Sequence, residues 1–161
     1  MPLSDLRYLT VSFTDFSGQA QVGELIVAAD LADEVVSIFA VLFAERFPIE
    51  RMSLVDDYGG DDLTSMVDNN TSAFNCRFVD GSEKWSDHAF GRAIDINPLI
   101  NPWVRAGSVS PVEGTPYADR TVARAGGIYD GSAVVAAFTD RGWTWGGNWE
   151  SSKDYQHFSA D

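Results

Sequence analysis

The chain has 161 residues, of which 45% are hydrophobic and 22% charged, an ordinary balance for one domain with a buried core. Lys and Arg number 11 against 24 Asp and Glu, a net charge of −13, which argues against nucleic acid or an anionic membrane surface, since both need clustered Lys and Arg. No apolar run approaches membrane-spanning length, and Met1-Pro2-Leu3-Ser4-Asp5-Leu6-Arg7 lacks the basic region and apolar core of a signal peptide, so neither is expected.

Leu6 to Phe13, rich in Tyr, Thr, Val and Phe, reads as a strand, Gly18 as a turn, and Val22 to Ala28 as the partner strand. Asp30 is expected to cap a helix whose apolar residues Leu31, Val35, Ile38, Phe39, Leu42 and Phe43 share one face, with Pro48 ending it. Residues 56–70 read as solvated loop, because the acidic run from Asp56 to Asp62 lacks the alternating spacing and terminal Glu of an EF-hand. Thr71 to Val79 reads as a strand, and Ala93 to Asn97 as another, with Ile94 and Ile96 on one face and Asp95 on the other. Residues 98–127 are Pro- and Gly-rich without periodicity, so a long surface excursion is expected, with Asn97-Pro98 and Asn101-Pro102 only turning the chain. Gly131 to Arg141 reads as a second helix with Val134, Val135 and Phe138 inward and Gly142 as its stop. Trp143 to Trp145 and His157 to Ser159 read as short closing strands. There is no repeat and no interdomain linker, so a single domain over 1–161 is expected. Strands and helices do not alternate regularly, which favours α+β over α/β.

Cys76 is the only cysteine, so no internal disulfide can form. It reads as a small buried core residue. A cysteine–histidine hydrolase is an alternative, but both histidines have better employment.

Those two histidines are the chain's only ones, and each lies in a segment suited to metal chemistry. His88 is in Ser86-Asp87-His88-Ala89-Phe90-Gly91-Arg92-Ala93-Ile94-Asp95, and His157 is in Asp154-Tyr155-Gln156-His157-Phe158. Two imidazoles and one carboxylate make a three-ligand set that leaves a position on zinc open for water. Asp95, between Ile94 and Ile96, is costly to bury without a partner, and a metal ion is a good partner. Gly91 permits a tight turn that brings His88 back beside Asp95. Asp154 is then a spare carboxylate, able to handle the proton of water or to orient an imidazole. A regular strand would put Asp154 and His157 on opposite faces, so Asp154 is expected in a turn before the last strand. Trp143, Trp145 and Trp149 surround Gly146-Gly147, where they either pack the closing strands or wall a substrate cleft; Trp145 is the candidate for substrate contact. Residues 1–76 hold three basic residues and residues 77–161 hold eight, so the half bearing the site is close to neutral and could accept an anionic substrate.

Ser-x-His-x-x-Gly-x-Ala-x-Asp, followed by Trp-x-Trp-Gly-Gly and Asp-x-x-His-Phe, resembles the VanY/D-Ala-D-Ala-carboxypeptidase-like zinc peptidases, and most of all their branch of L-alanyl-D-glutamate peptidases from phage endolysins and bacterial cell-wall hydrolases. The resemblance spans about residues 47–158. It implies a small α+β fold shared with hedgehog signalling domains, with a central antiparallel sheet and flanking helices. It implies Zn2+ on His88, Asp95 and His157, and Asp154 as proton carrier where many relatives have Glu. Arg77 matches a family arginine that steadies the oxyanion or grips substrate; the competing reading is an ordinary arginine paired with one of many carboxylates. Ser86 matches a serine that contacts substrate or orients His88; a turn-capping serine is the plainer reading. The substrate implied is the peptidoglycan stem peptide, cut between L-Ala and D-Glu, with D-Ala–D-Ala carboxypeptidase as the alternative. A monomer acting on the cell wall is expected, either released with phage or excised from an exported protein. Two other classes compete: a non-haem iron oxygenase, whose His and carboxylate usually stand two residues apart rather than seven, and a degenerate binding domain, against which the intact ligand set argues.

Overall fold

The computed structural model describes residues 1–161. Strands β1 (Leu6–Thr14) and β2 (Ala20–Ala28) form an antiparallel hairpin with Leu6 opposite Ala28 and Thr14 opposite Ala20. Asp15 closes the turn: its carboxylate accepts from the backbone N–H of Ser17 and Gln19 and from the side chains of Ser17 and Gln21. The first helix, α1 (Ala32–Ala44), lies against β1 and buries Val35, Ile38, Phe39 and Leu42, the expected face. Phe43 falls outside it and is exposed. Asp30 is no cap; Leu31 holds that position without a side-chain bond, while Asp30 pairs with Arg92 at 2.9 Å. The arginine competes for the carboxylate and wins it for a contact between distant segments.

The expected solvated loop at 56–70 contains a short helix, α2 (Asp62–Val67), capped by Asp61, whose carboxylate accepts from the Thr64 N–H at 2.7 Å. A six-residue helix gives too few turns for an apolar period to be legible. Thr71 to Val79 is not a strand. It is tied by isolated bridges, Ser72 to Asp95 and Phe78 to Trp85. Cys76 is exposed, not a core residue.

The remaining strands are short and antiparallel. Strands β3 (Ala93–Asp95), β6 (Thr144–Trp145) and β8 (His157–Ser159) form one sheet in the order β3-β8-β6. Another sheet has the order β5-β4-β7, from β4 (Trp103–Arg105), β5 (Ser108–Ser110) and β7 (Ser152–Asp154). The fold is thus α+β with antiparallel sheets, as expected. Helix α3 (Ala133–Thr139), capped by Ser132, packs against α1 and β6 with Val134, Val135, Ala137 and Phe138 inward. Twenty-three buried residues make one apolar core, in which Phe138 stacks on Phe158 at 4.0 Å and Trp143 and Trp145 are enclosed.

Residues 98–127 do more than cross the surface. They supply β4 and β5 and are held by two buried asparagines. The Asn101 amide donates to the carbonyls of Ile96, Asn97 and Gly126, and its oxygen accepts from Arg120 and the Ile128 N–H. Asn97 likewise donates to Pro48 and Gly126. These side chains substitute for a ladder, which is why the segment has order without periodicity.

Candidate active site

Strand register builds half of the site. Asp95 on β3 stands directly opposite His157 on β8, so their side chains share one face while Ile94 and Phe158 enter the core from the other. His88 arrives from a single 3-10 turn, Asp87–Phe90, capped by the Ser86 hydroxyl accepting from the His88 N–H at 3.3 Å. Gly91 ends that turn with φ +66°, and its carbonyl accepts from the Ala28 N–H at 2.9 Å. A Cβ there would stand 2.6 Å from that nitrogen, so only glycine permits both the turn and the approach to β2. The expected return of His88 beside Asp95 is therefore made by Gly91.

The donor atoms of His88, Asp95 and His157 lie within 4.8 Å of one another, and all three residues are buried. The His88 Nδ1 is 2.6 Å from the Ala73 carbonyl. A carbonyl can only accept, so Nδ1 carries a proton, and in the neutral imidazole Nε2 is the lone-pair nitrogen that faces the cluster. That Nε2 stands 3.3 Å from His157 Nδ1 and 3.2 Å from an Asp95 oxygen, while the other Asp95 oxygen is 2.9 Å from His157 Nδ1. Two imidazole nitrogens bound tetrahedrally to zinc stand about 3.3 Å apart, given Zn–N bonds of about 2.0–2.1 Å. The donor set and its spacing therefore fit a divalent metal with one position left open. Burial alone would drive the His88 imidazolium to lower pKa, but the Asp95 carboxylate outweighs it and the net direction is up. Burial likewise raises Asp95, and the two histidines reverse this to a lowered value. The carboxylate is held ionised in a buried place and calls for positive charge beside it.

Asp154 ends β7, opposite Trp103 of β4. It is not in a turn, as expected from the sequence, but on a strand of the other sheet. Tyr155 and Gln156 carry the chain from that sheet to β8, which frees Asp154 from the alternation that would have turned it away from His157. Its Oδ1 is buried with no hydrogen-bond partner. Burial pushes its pKa up to about 7; His157 opposes the rise and the Asp95 charge adds to it. Gly146 lies against its back: a Cβ at Gly146 would come within 2.6 Å of the Asp154 carbonyl oxygen. The motif glycine thus has a steric reason that spacing did not reveal.

These residues line a cleft of about 630 Å³, together with Arg77, Ser86, Gln156 and Trp149. Arg77 lines the cleft and is paired, with Nη2 3.0 Å from Asp62 on α2, which is the plainer of the two readings of this residue. Ser86 lines the cleft and caps the His88 turn. Trp145 must be corrected: it is 3% exposed, packs in the core and donates its indole N–H to the Tyr155 carbonyl at 3.0 Å, so it walls no cleft. Alternation of strand and turn after β6 puts Trp149 there instead, its ring 5.5 Å from His157. The basic residues of the second half also lie mostly elsewhere. Of the charged residues lining the cleft, Arg77 and Lys84 face six aspartates, so the sequence argument for an electrostatically attracted anionic substrate is not carried by the site. Cys76 does not line the cleft, and both histidines are engaged with Asp95.

Comparison with known proteins gives a family match. The family model described as D-alanyl-D-alanine carboxypeptidase covers residues 80–160, half of the chain and the segment that holds His88, Asp95, Asp154 and His157. No curated protein and no solved structure matches.

Proposed function

Because the chain belongs to the D-alanyl-D-alanine carboxypeptidase family of peptidases, we propose that it is a zinc peptidase cutting the stem peptide of peptidoglycan, between L-Ala and D-Glu. The convergence of His88 Nε2, His157 Nδ1 and the Asp95 carboxylate at the floor of the cleft carries this reading. These three residues would hold the ion. Bound there, zinc would supply a Lewis acid for the scissile carbonyl and for activation of water near neutral pH.

The chain's own residues do the rest. Asp154, with an uncommitted buried oxygen and a pKa raised to about 7, accepts a proton from the attacking water and passes it to the nitrogen of the leaving amine as the C–N bond breaks. Arg77 faces the negative charge that develops on the carbonyl oxygen. The Ala73 carbonyl fixes the tautomer of His88, a role that sequence spacing could not reveal. Ser86 holds the His88 turn by its cap.

The L-Ala–D-Glu bond is favoured by the endolysin-like motif pattern, and the description of the matching family favours the D-Ala–D-Ala carboxypeptidase alternative. Digestion of purified cell walls followed by identification of new termini tests the choice. New L-Ala C-termini with D-Glu N-termini are expected. Free D-Ala as sole product selects the carboxypeptidase, and new reducing sugar ends without new peptide termini reject the peptidase reading.

A further inference from the structure

The acidic run that leads into α2 ends on a carboxylate engaged with a distant segment. Asp62, the first residue of α2, places Oδ2 3.0 Å from Arg77 Nη2 and accepts from the Asn75 amide at 3.0 Å through Oδ1. Asn75 is buried, and its backbone N–H donates to the His88 carbonyl at 3.1 Å. Arg77 in turn accepts from the Ser86 N–H at 3.1 Å through its carbonyl. The guanidinium is thereby tied on one side to α2 and on the other, through the backbone, to the segment that carries His88. Its Nη1 donates to the Phe78 carbonyl at 3.3 Å, and Nε has no partner. Of five guanidinium donors, most remain uncommitted.

We infer that Asp62 is a positioning residue for Arg77: it locks the guanidinium toward the cleft so that its charge is already in place when the carbonyl oxygen becomes negative. This rests on the role proposed above for Arg77. The physical ground is preorganisation. An arginine side chain has many rotamers, and an arginine that must find its place during the reaction stabilises the transition state less than one held in advance. Asp62 holds the guanidinium at Nη2 and is itself aligned by Asn75, while Nη1 takes the Phe78 carbonyl and Nε is left without a partner. Arg77 lines the same cleft as Asp154 and His88, so its charge lies at the site. The Asp62 and Arg77 side chains are 24% and 27% exposed, and an ion pair this open adds little to global stability, so its effect is expected in turnover instead.

A double-mutant cycle on the zinc-loaded protein, with a purified muropeptide as substrate, tests the inference. Asp62→Ala is expected to lower kcat about tenfold with zinc content and Tm nearly unchanged, and Asp62→Asn to fall between it and wild type. Arg77→Ala is expected to lower kcat further, and adding Asp62→Ala to it should cost nothing more. Asn75→Ala should shift kcat in the same direction by less. Losses that multiply in the double mutant, or a loss in Asp62→Ala that follows Tm, would show a merely structural role and overturn the inference. An impaired Arg77→Ala beside an unimpaired Asp62→Ala removes this inference and leaves the proposed mechanism standing. An unimpaired Arg77→Ala removes the assignment of Arg77 and this inference with it, and a wild type that hydrolyses no muropeptide removes the functional reading as a whole.

Discussion

His88 and His157 stand 69 residues apart in the chain and 3.3 Å apart at their nitrogens. Such proximity of two buried imidazoles around one carboxylate is unfavourable unless something positive completes it. Removal of both rings, His88→Ala with His157→Ala, should abolish stoichiometric zinc binding by metal analysis of the purified protein; full zinc retention would refute the ligand set. Asp154 lies beside that set without being needed in it. Asp154→Asn should keep zinc and lower kcat by about a hundredfold or more, the scale of general acid–base catalysis. Loss of metal in that variant would make Asp154 a ligand. Arg77→Ala should reduce kcat more than it raises KM, and Arg77→Lys should recover only part, because an ammonium cannot both face Asp62 and present a planar edge to the cleft. A pure KM effect would assign Arg77 to ground-state binding of a substrate carboxylate.

At the scale of elements, close backbone approaches decide where the site residues stand. The last turn before β7 passes behind Asp154 at Gly146, and a methyl group there would meet the Asp154 carbonyl oxygen at 2.6 Å. Backbone cannot swing aside as a flexible side chain can. Gly146→Ala should therefore displace Asp154 and lower kcat by roughly tenfold or more while zinc is retained, since small misplacements of a catalytic group are costly; unchanged turnover would show that β7 has room to shift. The β1–β2 hairpin is set by another local device. Ser17 and Gln21 side chains and the turn N–H groups hold the Asp15 carboxylate at a pKa of about 2, below its ordinary 3.8. The contribution is present above pH 3.8 and is lost as pH falls through about 2. Asp15→Asn should thus lower Tm at pH 6, with the difference from wild type shrinking toward pH 2; a difference that is constant with pH would show that charge has no part in the turn.

For the whole molecule, the proposed ion would fasten the His88 turn to strands β3 and β8, which the sheet already pairs. Bound zinc would tie the His88 turn, β3 and the C-terminal β8 together, and it binds the folded chain in preference to the unfolded one. At free zinc a hundredfold above Kd the linkage is about 2.7 kcal/mol. For a chain of this size that is a Tm shift of roughly 5–11 °C. Scanning calorimetry with added zinc and with a chelator should show it, and a Tm indifferent to both would count against a metal in the folded state.

Much of this protein is determined by the sequence alone. The hairpin, α1 and α3 were legible because their apolar residues repeat with the period of the element that buries them, as Val35, Ile38, Phe39 and Leu42 do. The candidate ligand set was legible because the chain has only two histidines and one strand carboxylate between isoleucines. What tertiary structure decided are the contacts with no period. Asp30 left its expected cap for Arg92, and the acidic run at 56–62 gave up one carboxylate to Arg77. Trp145 was drawn into the core while Trp149 remained at the cleft, a choice set by which side of β6 faces Phe158. Asp154 joined His157 from a different sheet because the chain changes sheets between them. Local sequence records which face of an element is apolar; it does not record which distant charge or backbone a side chain will meet, because those partners are brought together only when the core closes.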